Sequence, residues 1–395
     1  EAYRELREID PNVAIVMVTK SEEDETLNEA LGADMTEYLV KPVTPRQVYA
    51  LVTRLVEGPR IRHQALARRF VDRFRELQTE SLRVLDWRGW IDRYLELTQW
   101  DLDLAAAGEA GLYDSLRGLY PDFRREFAHY MQRAYPDWLT QLDGDRPPLS
   151  IDIVSEFVLP VLERDRGVLY VVVDCLRLDQ WKVIEPIIAQ LFEVETTHYF
   201  SVLPTATPFA RNALFSGLFP VEIEARFPQW WGERDDESLN AHERELLEAH
   251  LNDLHKPVPV RYEKINTTLD ANDLERRLSN AVGPDGISAF VFNFIDLLTH
   301  GRSESAILYE VARDEIALRQ LTHQWFLRSP LLAVLKEAAR RGLKVLLTSD
   351  HGSIHCNTPA TVVAKRDATP HLRYKFSEDL RAGHPEQALL FQRED

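Results

Sequence analysis

Only two cysteines, Cys175 and Cys356, occur in 395 residues, which excludes a disulfide framework and a multi-cysteine zinc module. No apolar run reaches the roughly 20 residues needed to cross a bilayer, and no signal-like start is present. Membrane insertion is therefore not expected, and a cytoplasmic location is. Positive charge is in deficit: 47 Lys and Arg face 64 Asp and Glu, a formal net charge of −17. That argues against passive, sequence-independent binding to nucleic acid or anionic membranes. A local cationic pocket remains compatible with it, and divalent metals would offset part of the acid. What is present is ordinary for a soluble globular protein, with 45% hydrophobic and 28% charged residues. The length suffices for two or three domains. The chain opens at Glu1-Ala2-Tyr3 in what reads as mid-helix and closes at Gln392-Arg393-Glu394-Asp395 just after an apolar run, so both ends are expected to be cuts through a longer protein.

Residues 1–58 read as an α/β half-domain. Val13–Lys20 is a short buried strand, Ser21 with Asp24 forms a capping pattern for a helix, and Gly32 is its expected C-cap. Met35–Lys41 is a second strand. Thr44 as N-cap with Pro45 at the first helical position opens an amphipathic helix, which Gly58-Pro59 is expected to break. The marks Thr19, Gly32-Ala33-Asp34, Tyr38 and Lys41-Pro42 resemble the C-terminal half of a flavodoxin-like two-component receiver domain. By that resemblance Thr19 and Lys41 contact a phosphorylated Asp, Tyr38 reports phosphorylation, and a full-length receiver holds magnesium. The phospho-accepting Asp belongs to earlier strands that this sequence lacks, so the chain as given would not accept the phosphoryl group.

Residues 59–150 read as a helical linker. Leu66, Phe70, Phe74 and Leu77 keep helical spacing, and Trp87–Leu104 and Leu112–Trp138 read as two further helices. Their aromatics suit helix packing better than a base-stacking platform. Asp143–Pro148 is a connecting stretch.

Residues 151–395 repeat a strand followed by polar residues. Gly167–Val173 ends in Asp174; Thr196–Val202 leads to Thr205, Thr207 and Gly217; Ile287–Ile295 ends in Asp296; Leu343–Thr348 ends in Asp350-His351. These strands, apolar on both faces and separated by helical sequence, predict a parallel sheet with helices on both sides. All their C-terminal ends fall on one edge, where open α/β sheets place ligands. Taken alone, Asp350-His351 is as readily a turn. With Asp174, Asp296 and His300, which follows Asp296 by one helical turn, the acids would repel one another unless divalent ions held them, two ions about 4 Å apart. Thr207, read as the N-cap of a helix ending at Gly217, would place a hydroxyl beside free backbone N–H groups; metal coordination would make it a nucleophile. Thr205 is the rival.

The order Asp174, Thr207, Asp296, His300, Asp350-His351 resembles the alkaline phosphatase superfamily. Asp174-x-x-Arg177-x-Asp179-Gln180-Trp181, Pro204–Thr207, Arg211-Asn212-Ala213 and Leu372–Lys375 are similar to a PglZ domain. Receiver, helical linker and PglZ domain in succession resemble the PorX-like response regulators linked to type IX secretion. The resemblance implies two zinc ions: Asp174, Thr207, Asp350 and His351 on one, Asp296 and His300 with a third His on the other. His355, His371 and His384 are candidates for that third ligand, as is a residue beyond the end of the sequence. It further implies catalytic roles for Thr207, as nucleophile, with Arg211 and Asn212, and phosphate contacts by Arg177, Arg211, Arg373 and Lys375. The expected activity is that of a zinc-dependent phosphodiesterase on nucleotide or oligonucleotide substrates, with a sensor histidine kinase and a sigma factor as partners of a homodimer. A signalling scaffold with structural zinc is the alternative.

Overall fold

A computed structural model of the chain describes residues 6, 14–20, 37–140, 144–231, 240–266, 268–356, 359–365, 374–375, 379–384, 388 and 390. The chain divides into two compact units, residues 1–84 with 99–127 and residues 85–98 with 128–395.

In the first unit, β1 (Val16–Thr19) pairs in parallel with β2 (Glu37–Val40), Thr19 opposite Val40. The N–H of Lys41 extends the ladder to the Thr19 carbonyl at 2.7 Å. Thr44 is the expected N-cap of α1 (Pro45–Thr79), and with Gln47 it also closes a capping box. The expected break at Gly58-Pro59 does not occur, because α1 is one continuous helix of 35 residues. Pro59 removes a single bond from the ladder, at a cost of about 3 kcal/mol. The intact turns on either side, anchored by buried Leu51, Phe70 and Leu77, carry the helix through it. Phe70 meets Trp100 edge-on at 5.3 Å. Trp100 lies in α2 (Trp87–Ala107), which precedes α3 (Ala110–Thr140). The expected capping pattern at Ser21 and Asp24, and Gly32, lie outside the described residues.

The second unit is built on a four-stranded, all-parallel sheet in the order β4-β5-β3-β6, comprising β3 (Gly167–Val173), β4 (Val260–Ile265), β5 (Gly286–Phe292) and β6 (Lys344–Thr348). Every residue of β3 and β5 is buried, as two-faced apolar strands require. Leu169, Val171 and Val173 point into one core with α4 (Leu178–Ile188), α7 (Thr268–Ala281), α9 (Glu315–Leu327) and α10 (Pro330–Arg341). Val168, Tyr170 and Val172 point into the other, against Leu214 and Phe215 of α5 (Thr207–Ser216) and Leu246, Leu247 and Leu251 of α6 (Glu243–Asp253). Each such side chain contributes roughly 1.5–3 kcal/mol through burial, so β3 is the energetic spine of the unit. Between β5 and α9 lies α8 (Phe294–Glu304). Near the C-terminus, β7 (Val362–Val363) pairs antiparallel with β8 (Arg381–Ala382).

Two sheet expectations are corrected. Thr196–Val202 is not a strand: its only ladder contact is an isolated bridge from Phe200 to Leu149. The segment is instead held by side chains, with Phe200 edge-on to Trp138 at 5.0 Å and the Leu203 N–H donating to the Tyr135 hydroxyl at 2.9 Å. The strand that completes the sheet is β4, whose Arg261 and Glu263 are neutralised by Asp285 and Arg277.

Gly217 closes α5 in the left-handed region, φ +65°, and a Cβ there would sit 2.3 Å from the His250 ring. Gly217→Ala is therefore expected to destabilise by at least the roughly 1–2 kcal/mol of the left-handed penalty. Gly118→Ala, in the middle of α3 with open space around it, is expected to gain roughly 0.5–1 kcal/mol. Denaturant unfolding of both variants against wild type checks the pair, and equal midpoints for the two would contradict it.

Candidate metal centre

Strand register creates the site. Val172 of β3 lies opposite Thr348 of β6, and Asp174 and Asp350 each follow by two residues. Both carboxylates therefore leave the sheet at one level and on one side. The Asp174 N–H continues the ladder to the Phe292 carbonyl at 2.9 Å, which fixes its backbone from the β5 side too. Both side chains are buried, Asp350 completely.

Asp350 Oδ1 accepts from the N–H groups of His351 at 2.9 Å and Cys175 at 3.3 Å. Cys175 presents that N–H from a left-handed backbone, φ +63°, a conformation that non-glycine residues hold at a cost and that gathers at functional sites. The other oxygen, Oδ2, is buried with no donor to satisfy it. Its neighbour is the Asp174 carboxyl, and a shared proton, a cation or a water can complete it. Asp174 divides its oxygens in the same way. Oδ2 accepts from Arg211 at 2.7 Å, while Oδ1 stands 3.5 Å from His351 Nε2 and 3.4 Å from Thr207 Oγ1. His351 Nδ1 faces the Gly352 carbonyl at 3.1 Å, which assigns the proton to Nδ1 and turns the Nε2 lone pair toward Thr207 Oγ1, 2.8 Å away.

Four donor atoms thus converge: Asp174 Oδ1, Asp350 Oδ2, His351 Nε2 and Thr207 Oγ1. Four ligands around a tetrahedral ion with bonds near 2.0–2.1 Å stand about 3.3 Å apart; here His351 Nε2 lies 2.8, 3.5 and 3.8 Å from Thr207 Oγ1, Asp174 Oδ1 and Asp350 Oδ2, and Thr207 Oγ1 lies 3.4 Å from Asp174 Oδ1. The unsatisfied Asp350 oxygen, the imidazole lone pair and the oxygen-rich donor set all fit a divalent cation. Among the described residues, Asp174, Asp350 and His351 are the one group of acidic, His and Cys side chains close enough to hold an ion.

Thr207 reaches this cluster by a local route that differs by one position from the sequence expectation. Ala206 is the N-cap and Thr207 the first residue of α5. Its hydroxyl therefore caps no backbone group and is left to the cluster. The helix end also offers less backbone than expected: Pro208 has no N–H, and those of Phe209 and Ala210 bond the Ala206 carbonyl. Thr205 lies before the N-cap.

Asp296 and His300 face each other across one turn of α8 at 3.5 Å. The charge of Asp296 acts on Cys175 and feels Asp174, yet neither residue joins the four-donor group. His300 is 63% exposed. His355 and His384 are exposed, and His371 and Arg373 lie outside the described residues. Lys375 is half-buried beside Tyr374, whose ring meets Phe209 of α5 at 5.1 Å.

The arginines and Asn212 differ from expectation. Arg177 is half-buried and grips Asp179 with two nitrogens at 2.8–2.9 Å while its third pairs with Glu315, so each guanidinium nitrogen holds a carboxylate and the side chain braces α4 against α9. Arg211 is buried and turned away from solvent toward Asp174, Asn293 and Glu243. Asn212 is buried too, donating to the Pro208 carbonyl at 2.8 Å and accepting from Asn240 at 3.1 Å. Sequence reading missed Glu243, Tyr262, Lys264 and Asn240, which surround Arg211. It also missed Tyr199, Ser201 and Ser349, which tie the β6 tail in place: Tyr199 donates to the Ser349 carbonyl, Ser201 to that of Asp350 at 2.7 Å, and the Leu176 N–H to Ser349 Oγ at 3.0 Å. Small hydroxyls carry no sequence signal strong enough to reveal such contacts.

A parallel α/β sheet carrying an Asp, Asp, His and Thr donor set at its C-terminal edge defines an alkaline-phosphatase-like domain. Residues 153–388 match the family described as the BREX system PglZ alkaline phosphatase-like domain, and residues 60–139 match the PorX response regulator linker domain. The chain belongs to the PglZ alkaline phosphatase-like family, in the PorX-like arrangement that joins this domain to a response-regulator linker. No curated protein matches the chain.

Burial, and then the Asp350 charge, raise the Asp174 pKa to about 7, and burial raises that of Asp350. Between the ordinary Asp value of 3.8 and about 7 the folded, metal-free chain therefore holds more protons than the unfolded one. The contribution is fully present below about 4 and is lost as pH rises through 7. Half-buried His198 and buried His250, whose pKa values burial lowers, act in the opposite sense. The sensitive comparison is therefore with Asp174→Asn. In chelator, the melting temperature of wild type is expected to fall between pH 5 and 8 relative to that of the variant, and added zinc to restore it at pH 8. Parallel curves for the two proteins would refute this.

Proposed function

We propose that this chain is the zinc-dependent phosphodiesterase effector of a PorX-like response regulator, acting on nucleotide or oligonucleotide substrates with Thr207 as nucleophile. The observation that carries the reading is Thr207 Oγ1 within 2.8 Å of His351 Nε2 and 3.4 Å of Asp174 Oδ1, beside the unsatisfied Asp350 oxygen.

Asp174, Asp350, His351 and Thr207 would hold one zinc ion; Asp296 and His300 would serve a second. Bound zinc supplies Lewis acidity that favours the alkoxide of Thr207 and draws charge from a phosphoryl group. The chain's own part is placement. The N–H groups of Cys175 and His351 fix Asp350, Arg211 fixes Asp174, and the first turn of α5 fixes the hydroxyl that attacks phosphorus. The acidic balance of the chain suits a substrate taken into a metal pocket better than one held by a basic surface.

The regulatory half of the proposal rests on the linker match over residues 60–139. In it a sensor histidine kinase phosphorylates the magnesium-bearing receiver, whose switch residues include Thr19, Tyr38 and Lys41. The chain then dimerises, contacts a sigma factor and serves type IX secretion. No helix among the described residues is long and apolar enough to cross a membrane, and the proposal places the chain in the cytoplasm.

Thr207→Val is expected to lower turnover of bis-p-nitrophenyl phosphate by about a thousandfold or more, while Thr207→Ser retains a measurable fraction. Unchanged turnover in the Val variant would sink the reading.

A further inference from the structure

Behind Asp174, on the side away from the donor cluster, lies a second layer of charge. Arg211 Nη1 donates to Asp174 Oδ2 at 2.7 Å, and Arg211 Nε donates to Glu243. Glu243, 1% exposed at the start of α6, also accepts from the Tyr262 hydroxyl and lies 3.4 Å from Lys264 Nζ, both on β4. Lys264 donates to the Asn240 carbonyl at 3.0 Å, and Asn240 Nδ2 reaches Asn212 Oδ1 at 3.1 Å and the Thr207 carbonyl at 3.4 Å. One buried network thus grips both the Asp174 carboxylate and the backbone of Thr207.

Its charges alternate: Asp174, Arg211, Glu243, Lys264. An arginine whose one direct ion pair was Asp174 would compete with a metal ion for that carboxylate and repel it. Glu243 removes that competition by balancing Arg211 from its far edge. It also sets the direction of the guanidinium, so that only Oδ2 is engaged and Oδ1 faces the cluster. Such partners one layer behind a ligand commonly change metal affinity by 10–100-fold when altered.

We infer that Glu243 is a positioning residue for metal binding: through Arg211 it orients Asp174 and neutralises the cation beside it, although it touches neither metal nor substrate. The inference rests on the metal reading under the proposed function.

The test is zinc affinity of the full chain, by competition with a chromophoric chelator, in parallel with the melting temperature of each metal-free protein. Glu243→Gln is expected to weaken zinc binding at least about tenfold, more than any change in unfolding midpoint accounts for. Arg211→Lys, which keeps the charge but loses the fork, is expected to weaken it too. The double variant should add little, since both act through one Asp174 oxygen. Should Glu243→Gln fail to fold, Tyr262→Phe, which removes one donor to Glu243 and keeps its ring against Phe215, is expected to weaken binding a few-fold. Wild-type affinity in a folded Glu243→Gln, or full additivity in the double variant, overturns the inference alone, as does wild-type affinity in Tyr262→Phe if that variant has to stand in. A wild-type chain that binds no zinc overturns the proposed function and this inference with it.

Discussion

Two carboxylates standing side by side without water is the constraint on which the second unit depends. Asp174 and Asp350 are 2% and 0% exposed, and an ionised carboxylate moved from water to such a place costs several kcal/mol even after relaxation. The surroundings distribute that cost. Arg211 answers one oxygen of Asp174, two backbone N–H groups answer one oxygen of Asp350, and the remaining pair turns toward His351 and Thr207. What remains unanswered is as informative as what is paired, because in a folded protein a buried acceptor without a donor calls for an ion, a proton or a bound water. The site is thus a cluster of carboxylate, imidazole and hydroxyl donors that the sheet builds and the helices enclose.

The sheet supplies position and the helices supply polarity. β3 is buried throughout and can only end where its polar residues begin, at Asp174. β6 lies on one edge of the sheet and β4 on the other. The edge strand β6 delivers Asp350 and His351 directly, whereas β4 delivers Tyr262 and Lys264 to the layer behind. α5 brings Thr207 in at its first turn, and α8 carries Asp296 near enough for its charge to be felt at the site without entering the donor group.

Much of this was legible in the sequence. The continuous apolar runs of β3, β5 and β6 announce a parallel sheet, and the polar residues directly after them announce the edge where chemistry gathers. Asp174, Asp350 and His351 stand directly after those runs, whereas Thr207 follows a segment that forms no strand. Thr196–Val202 misled because Thr, Tyr, Phe and Val are strand-forming types, while what holds the segment is packing against Trp138 and Tyr135, remote in sequence. β4 stayed hidden because half of its six residues are charged, and their partners Asp285 and Arg277 become neighbours only in the fold. Arg211 shows a further limit. An arginine near a nucleophile suggests a phosphate contact, and nothing local says that its guanidinium points inward to Asp174 and Glu243. The same holds for Gly58-Pro59, where a local rule for ending helices yields to a long, well-anchored helix on both sides.

The equal offset of Asp174 and Asp350 from the paired residues Val172 and Thr348 bears on how this domain tolerates change in length. A strand advances about 3.3 Å per residue and turns each successive side chain to the opposite face. One residue gained or lost between Thr348 and Asp350 would carry the carboxylate past its partner and point it into the wrong core. Side chains in β6 can be exchanged for others of similar shape, but the count of residues from its ladder to Asp350 cannot vary. Insertions and deletions there act as substitutions of Asp350 itself.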